Sequence, residues 1–443
     1  MASILTSASS VEPRDASGGK RASESAPPRT LGLTGLVGLT FFCVAGGAYG
    51  LEDAVGTGGP MIALLALLIV PWLWSYPTAL MTAELSSAMP EDGGYVVWVE
   101  RAFGRFWGFQ EGWLSWLCSF ADNALYPVMF VDYLSYLRGD MSPLERWVIG
   151  ATLIGCITWL NIRGARLVGL SSAVFTLLVL APFAALVVLG APEVDPAAWL
   201  IRTGEIEWAL LLSTILWNTS GWDNAGCCAG EVAEPHKNYP RAMAATVLVV
   251  TLAYLLPVAV GVGVDQNWSA WKEGYFPQLA QQVGGGWLGT WLTVTGLISA
   301  AGLLNALLCT SARVSYAMAA RGTLPQPLAR IHSRYETPWV AIIVNSIGVA
   351  MLLPFSFQEL IQVDMFLYAL ALILEFLALV RLRFKEPQMA RPYRIPFGIP
   401  GVLLVSLPPV LLCLASMAVA NTPTKLVSLA GIALGLIVYR LRR

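Results

Sequence analysis

The chain has 443 residues, of which 56% are hydrophobic and only 12% charged, about half the charged fraction of a soluble domain. The net charge of −1 comes with no basic nucleic-acid patch, and no phosphate-cradling glycine loop, paired-histidine helix or nucleophile elbow occurs, so in-cis ATP-driven transport and the common hydrolase classes are unsupported. Two histidines and seven cysteines in no zinc spacing predict neither a metal centre nor a cofactor.

Residues 1–30 are rich in Ser, Ala, Pro and charge and lack the apolar core of a signal peptide, so they read as a disordered cytoplasmic tail. Beyond it, apolar stretches of bilayer-spanning length recur near 31–56, 61–86, 107–136, 145–162, 168–190, 206–230, 241–263, 286–318, 338–355, 358–382, 398–419 and 424–440. The pattern predicts one all-α polytopic membrane domain over 31–440 with twelve transmembrane helices. With both termini cytoplasmic, every basic residue falls on the inner side except Arg138, Arg146, Arg202, Lys272 and Lys425, as the positive-inside rule requires. The sequon Asn267-Trp268-Ser269 then lies outside, and the plasma membrane is the expected location. All seven cysteines fall within spans and read as small buried hydrophobes.

The first span is interrupted by Gly46, Gly47 and Gly50, and the sixth by Ser220-Gly221. A helix broken in hydrocarbon frees backbone groups that only a cavity or a neighbouring helix can satisfy. The breaks are offset by five spans, which predicts a five-plus-five inverted repeat with helices 1 and 6 broken. Repeat one covers about 31–190, repeat two about 206–382, and helices 11 and 12 about 398–440. A small-molecule site near the bilayer midplane follows from this layout.

Acids cluster at the breaks. Glu52 and Asp53 follow the first; they either cap the outward half-helix, contact a cation or carry a proton. Asp223 follows Gly221-Trp222 at the second, where capping would need no full charge, and it reads as a contact for a cationic substrate. Asn218, Thr219 and Ser220 add neutral hydrogen-bonding groups, and Trp217 and Trp222 either gate the site and attract ammonium groups or pack. Asp122 and Tyr126 share a helical face beside Asn123, as do Asp364 and Tyr368. Glu84, Glu111, Glu231 and Glu375 lie nearer span ends, where pairing with loop arginines is expected.

These residues resemble the amino acid–polyamine–organocation superfamily, in particular its branch of polyamine uptake transporters related to the L-type amino acid transporters. The resemblance rests on the run from Gly46 to Gly56, Pro90–Val99, Phe106–Trp113, Asp122–Pro127, Trp217-Asn218, Trp222-Asp223 and Ala229–Val232. It implies proton-coupled uptake, as a symporter, with alternating access. The implied substrate site takes in Gly46, Gly47, Ala48, Tyr49, Glu52, Asp53, Asp122, Asn123, Tyr126, Trp217, Asn218, Ser220, Gly221, Trp222, Asp223, Asp364 and Tyr368. Glu52 and Glu231 are candidates for the proton. Gly46-Gly47-Ala48 departs from the Gly-Ser-Gly usual in amino acid carriers. The substrate is expected to be a small polycation such as putrescine, spermidine or spermine, because several separated acids suit separated ammonium groups. A cationic or neutral amino acid is the alternative, and a substrate-sensing receptor on the same fold a second. Residues 137–144 contain no cysteine, so no disulfide-linked heavy chain is expected.

Overall fold

The computed structural model describes residues 32–89, 94–164, 172–202, 204–223 and 232–441. The expected tail, Glu231 and the Cys227-Cys228 pair lie outside the described residues, as does the side chain of Cys43. Among the described residues the chain is helical throughout, with no β-strand.

Helix α1 (Leu33–Val44) ends at Ala45, and the next regular residue is Glu52. The intervening turn uses positive φ at Gly47 (96°) and Gly50 (80°), a region that glycine enters without steric cost. Helix α2 (Glu52–Val70) carries a hinge at Gly59 (φ 71°), followed by Pro60, a residue suited to starting a helix. The hinge divides a short arm from a long helix that passes through a π-turn (Pro71–Ser75) into α3 (Tyr76–Ala88). The division lies between the first two expected spans.

The amphipathic α4 (Gly94–Phe103) leads into the long α5 (Arg105–Arg138). Helix α6 (Pro143–Ile162) opens on a capping box between Ser142 and Glu145. Next come α7 (Ser172–Gly190), α8 (Trp208–Asn218), α9 (Pro235–Val264), the short α10 (Phe276–Gly284) and α11 (Gly286–Ala320). Last are α12 (Trp339–Leu352), α13 (Phe357–Lys385), α14 (Gly398–Val419) and α15 (Thr422–Leu441). Helical structure thus stands on each expected span. Among the described residues, six helices are long and apolar enough to cross a membrane, namely Glu52–Ala88, Lys237–Val264, Gly286–Ala320, Phe357–Lys385, Gly398–Val419 and Thr422–Leu441. Helix α5 has the length but carries Glu111, Asp122 and Asp132, and α8 is short because the chain breaks at Thr219.

Helix α5 packs against α11 and α13, and α13 also packs against α14. The outer helices expose leucines, among them Leu404, Leu407 and Leu411 on α14 and Leu426 and Leu429 on α15, a surface matched to lipid tails rather than water. Cys118 and Cys413 are buried as expected, but Cys156 is exposed on α6. An apolar solvent makes that outward position acceptable for a thiol.

Arginine pairing holds for one of the acids near span ends. Glu84 is fully buried and bonded to Arg383 at 2.5 Å and Arg391 at 3.2 Å, and it accepts the Ile395 N–H at 2.8 Å. Glu111 and Glu375 are equally buried but form no such pair. Both lie on inward helical faces, α5 against α13, away from the loops that carry the arginines.

Candidate substrate site

The two glycine breaks meet. Asn218 donates from Nδ2 to the Gly50 carbonyl at 3.3 Å, tying the end of α8 to the first break. Ser299 on α11 donates to the Gly46 carbonyl at 2.8 Å, so a side chain satisfies a group that helix breakage freed. The Thr219 carbonyl receives both the Ser75 hydroxyl and the Trp222 indole N–H at 2.8 Å. The Tyr49 hydroxyl is spent on α11, at 3.0 Å from the Leu292 carbonyl and 2.8 Å from Thr295 Oγ1.

Between the breaks, α5, α11 and α13 enclose a cavity of about 210 Å³. Of the expected site residues, Gly46, Gly47, Tyr49, Asp122, Asn123, Tyr126, Trp217, Asn218, Ser220, Gly221, Asp223, Asp364 and Tyr368 line it. Ala48, Glu52, Asp53 and Trp222 do not. Trp222 is fully buried and its N–H is used locally, so it packs.

Glu52 and Asp53 belong to a separate shell. The Tyr133 hydroxyl and the Phe276 N–H both donate to Glu52 Oε1. Gln358 Nε2 donates to Asp53 Oδ1 at 2.8 Å. These acids open α2, where the helix dipole favours negative charge.

Among the described residues four carboxylates line the cavity, those of Asp122, Asp223, Asp364 and Glu375. Neutral donors hold three of them. Trp217 Nε1 reaches Asp122 at 3.1 Å, the Tyr368 hydroxyl reaches Asp223 at 2.9 Å, and the Cys118 thiol reaches Asp364 at 2.8 Å. Among the described residues no Lys, Arg or His lines the cavity. Aromatic faces stand beside the acids, with the Trp217 ring 6.0 Å from Tyr126 and 5.7 Å from Phe357.

The cavity is elongated. Asp364, Tyr368, Ala371 and Glu375 form one stripe on α13, and eleven helical residues span about 16 Å. Ser115, Cys118, Asp122, Tyr126 and Met129 form the facing stripe on α5. Such a slot can hold an extended cation whose charges meet successive acids. Among the described residues no group of His, Cys, Asp and Glu is arranged to hold a metal ion. The sequence reading missed Cys118, Ser299 and Glu375. Glu375 was findable, because it continues the Asp364–Tyr368 face three turns along the helix.

Comparison with known proteins agrees with the architecture. The amino acid permease family profile matches residues 31–438. The polyamine transporter RMV1 of Arabidopsis thaliana is 39% identical over 411 residues, covering 91% of this chain and 83% of its own. The polyamine transporter PUT1 of Oryza sativa subsp. japonica is 39% identical over 414 residues, covering 92% and 77% respectively. The serine/threonine exchanger SteT of Bacillus subtilis (strain 168) is more distant, at 28% over 353 residues, covering 77% and 79%. These relatives are named transporters and exchangers, not enzymes, and with the apolar helices above they mark an integral membrane protein. The chain belongs to the amino acid permease family of the amino acid–polyamine–organocation superfamily.

Proposed function

We propose that this transporter imports polyamines by proton-coupled alternating access, with twelve crossings arranged as a five-plus-five inverted repeat. The boundaries are those given above, with a cytoplasmic tail over 1–30 and both termini inside the plasma membrane. The observation that carries this reading is the slot of four carboxylates with no basic residue among its described lining. Uncompensated charge is costly in a membrane interior, so each ionised acid needs a cation or a proton. Putrescine, spermidine and spermine carry two, three and four ammonium groups on flexible apolar stems. They satisfy several acids at once and bring no carboxylate of their own. The names of the relatives at 38–41% identity, all polyamine transporters or probable polyamine transporters, support the same substrate class.

The proton is the coupling ion because the slot offers acids and no clear sodium cage. The sequence alone offers Glu52 and Glu231 as candidates for it. Glu52 is already engaged by Tyr133 and the Phe276 amide, and Glu231 lies outside the described residues.

Purified protein in proteoliposomes tests the proposal. Radiolabelled spermidine uptake should rise with an inward proton gradient, collapse with a protonophore and be indifferent to replacement of sodium by choline. A strict sodium requirement refutes the coupling. An amino acid substrate is the second reading. The distant exchanger is named for serine and threonine, and the Gly46-Gly47 backbone at the cavity wall can meet a substrate carboxylate. Uptake of arginine or leucine without uptake of any polyamine selects it.

A further inference from the structure

Glu111 is one of the buried acids that the slot leaves aside. Glu111 on α5 is fully buried, and neither of its carboxylate oxygens has a hydrogen-bond partner. It does not line the slot. Ser115, one turn along α5, donates to the Glu111 backbone carbonyl at 2.8 Å. Glu375, at the end of the slot, has an unpartnered Oε2. Glu111, Glu375 and Asp223 lie within electrostatic range of one another.

Among the described residues the surrounding helices bring no compensating charge. Tyr368 of α13 gives its hydroxyl to Asp223. Cys413 of α14 stands near Glu375, Tyr95 of α4 stands at the slot wall, and both side chains are neutral at physiological pH. Arg383, two turns beyond Glu375, is committed to Glu84. Arg313 of α11 is turned to the carbonyl and sulfur of Cys309. Two buried carboxylates within electrostatic range of each other, with no fixed cation among the described residues, resist ionising together.

We propose that Glu111 carries the coupled proton of the transport cycle and shares it with Glu375, so that Glu375 stays charged toward the substrate. The inference rests on the proton-coupled reading and names its site. On the loading side an O–H bond forms on Glu111 with a proton taken from water, reached through the Glu375 end of the slot. The pair then carries one negative charge, which a substrate ammonium neutralises, and the loaded slot can close. On the release side the O–H bond breaks and the proton returns to water. Without that proton the pair holds two negative charges facing one ammonium.

The test is Glu111→Gln in proteoliposomes, since the amide mimics a permanently protonated acid outside the slot lining. Substrate counterflow should persist and lose its pH dependence, while accumulation driven by a proton gradient should be lost. Glu52→Gln is the rival variant and should keep gradient-driven accumulation. Full accumulation by Glu111→Gln overturns the proposal, as does loss of counterflow in folded protein. Loss of coupling in Glu52→Gln alone also overturns it. If the wild type carries an amino acid and no polyamine, the polyamine reading fails, and the same comparison run with that amino acid still decides the proton site. An infrared measurement on detergent-solubilised wild type adds a check that needs no variant to fold. At neutral pH it should show the carbonyl band of a protonated carboxylic acid, and its absence overturns the proposal. In folded Glu111→Gln or Glu375→Gln that band should shrink.

Discussion

Asp223→Asn isolates the charge that the second break places in the slot. Asp223 is buried and accepts the Tyr368 hydroxyl at 2.9 Å. The asparagine oxygen can accept the same bond, so the local geometry survives while the charge is removed. A full charge pair 4 Å apart attracts by about 4 kcal/mol at an effective permittivity of about 20. Desolvation of both partners reduces this toward the roughly 1.5–3 kcal/mol typical of a charge-assisted hydrogen bond. At 1.4 kcal/mol per decade the expected loss of spermidine affinity is about ten- to a hundredfold. Initial uptake rates across a spermidine series, normalised to reconstituted protein, give the change in KM, and unfolding in detergent checks that the fold is intact. A KM near the wild-type value in folded protein refutes the assignment of Asp223 to the substrate. Tyr368→Phe is the companion variant, because it removes the hydroxyl and leaves the charge; it should cost less than Asp223→Asn.

Glu84→Gln should destabilise the protein by about 3–5 kcal/mol, the usual cost of leaving a buried charge unpaired, because Arg383 and Arg391 both lose their counter-charge. A thermal unfolding midpoint close to wild type would contradict this. Gly50→Ala places a side chain at φ 80°, 3.1 Å from the Phe357 ring and 3.3 Å from the Trp217 ring. Beyond a backbone cost of about 1–2 kcal/mol, it should crowd Trp217 and impair uptake. Gly139→Ala has a comparable φ of 82° with nothing within 4 Å, so it should retain transport, and equal uptake in the two variants would refute the crowding argument. Trp217→Phe keeps an aromatic face but removes the N–H that holds Asp122 at 3.1 Å. It should raise the KM for spermidine with little change in thermal stability, and an unchanged KM would show that Asp122 needs no such positioning.

Helix positions were legible because each apolar stretch must bury or face lipid along its whole length. The two breaks were legible because hydrocarbon tolerates a glycine-broken helix beside acids only where the freed groups face a cavity or a neighbouring helix. Side-chain direction was less legible. Glu52 and Asp53 stand only a few residues beyond the first break, yet the turn at Gly50 carries them into a shell with Tyr133 and Gln358 rather than into the slot. Proximity in sequence says little about facing once the backbone leaves regular geometry. Where the helix is regular, facing follows from spacing, as Asp364, Tyr368 and Glu375 demonstrate. Reading acids near span ends as arginine partners was right for Glu84, whose partners lie on α13 and the following loop. It failed for Glu111 because its neighbours come from α13 and the second break, distant segments that only the packed structure brings together.

The central claim is that an acid-lined slot selects molecules carrying several separated ammonium groups. Competition against radiolabelled spermidine uptake in proteoliposomes tests it most directly, with spermine, putrescine, a monoamine of spermidine's length, arginine and leucine as competitors. Each additional ammonium on a desolvated carboxylate should contribute roughly 1.5–3 kcal/mol. Spermine and spermidine should therefore compete at least tenfold better than the monoamine, arginine only weakly and leucine scarcely at all. Stronger competition by arginine or leucine than by any polyamine would contradict the claim.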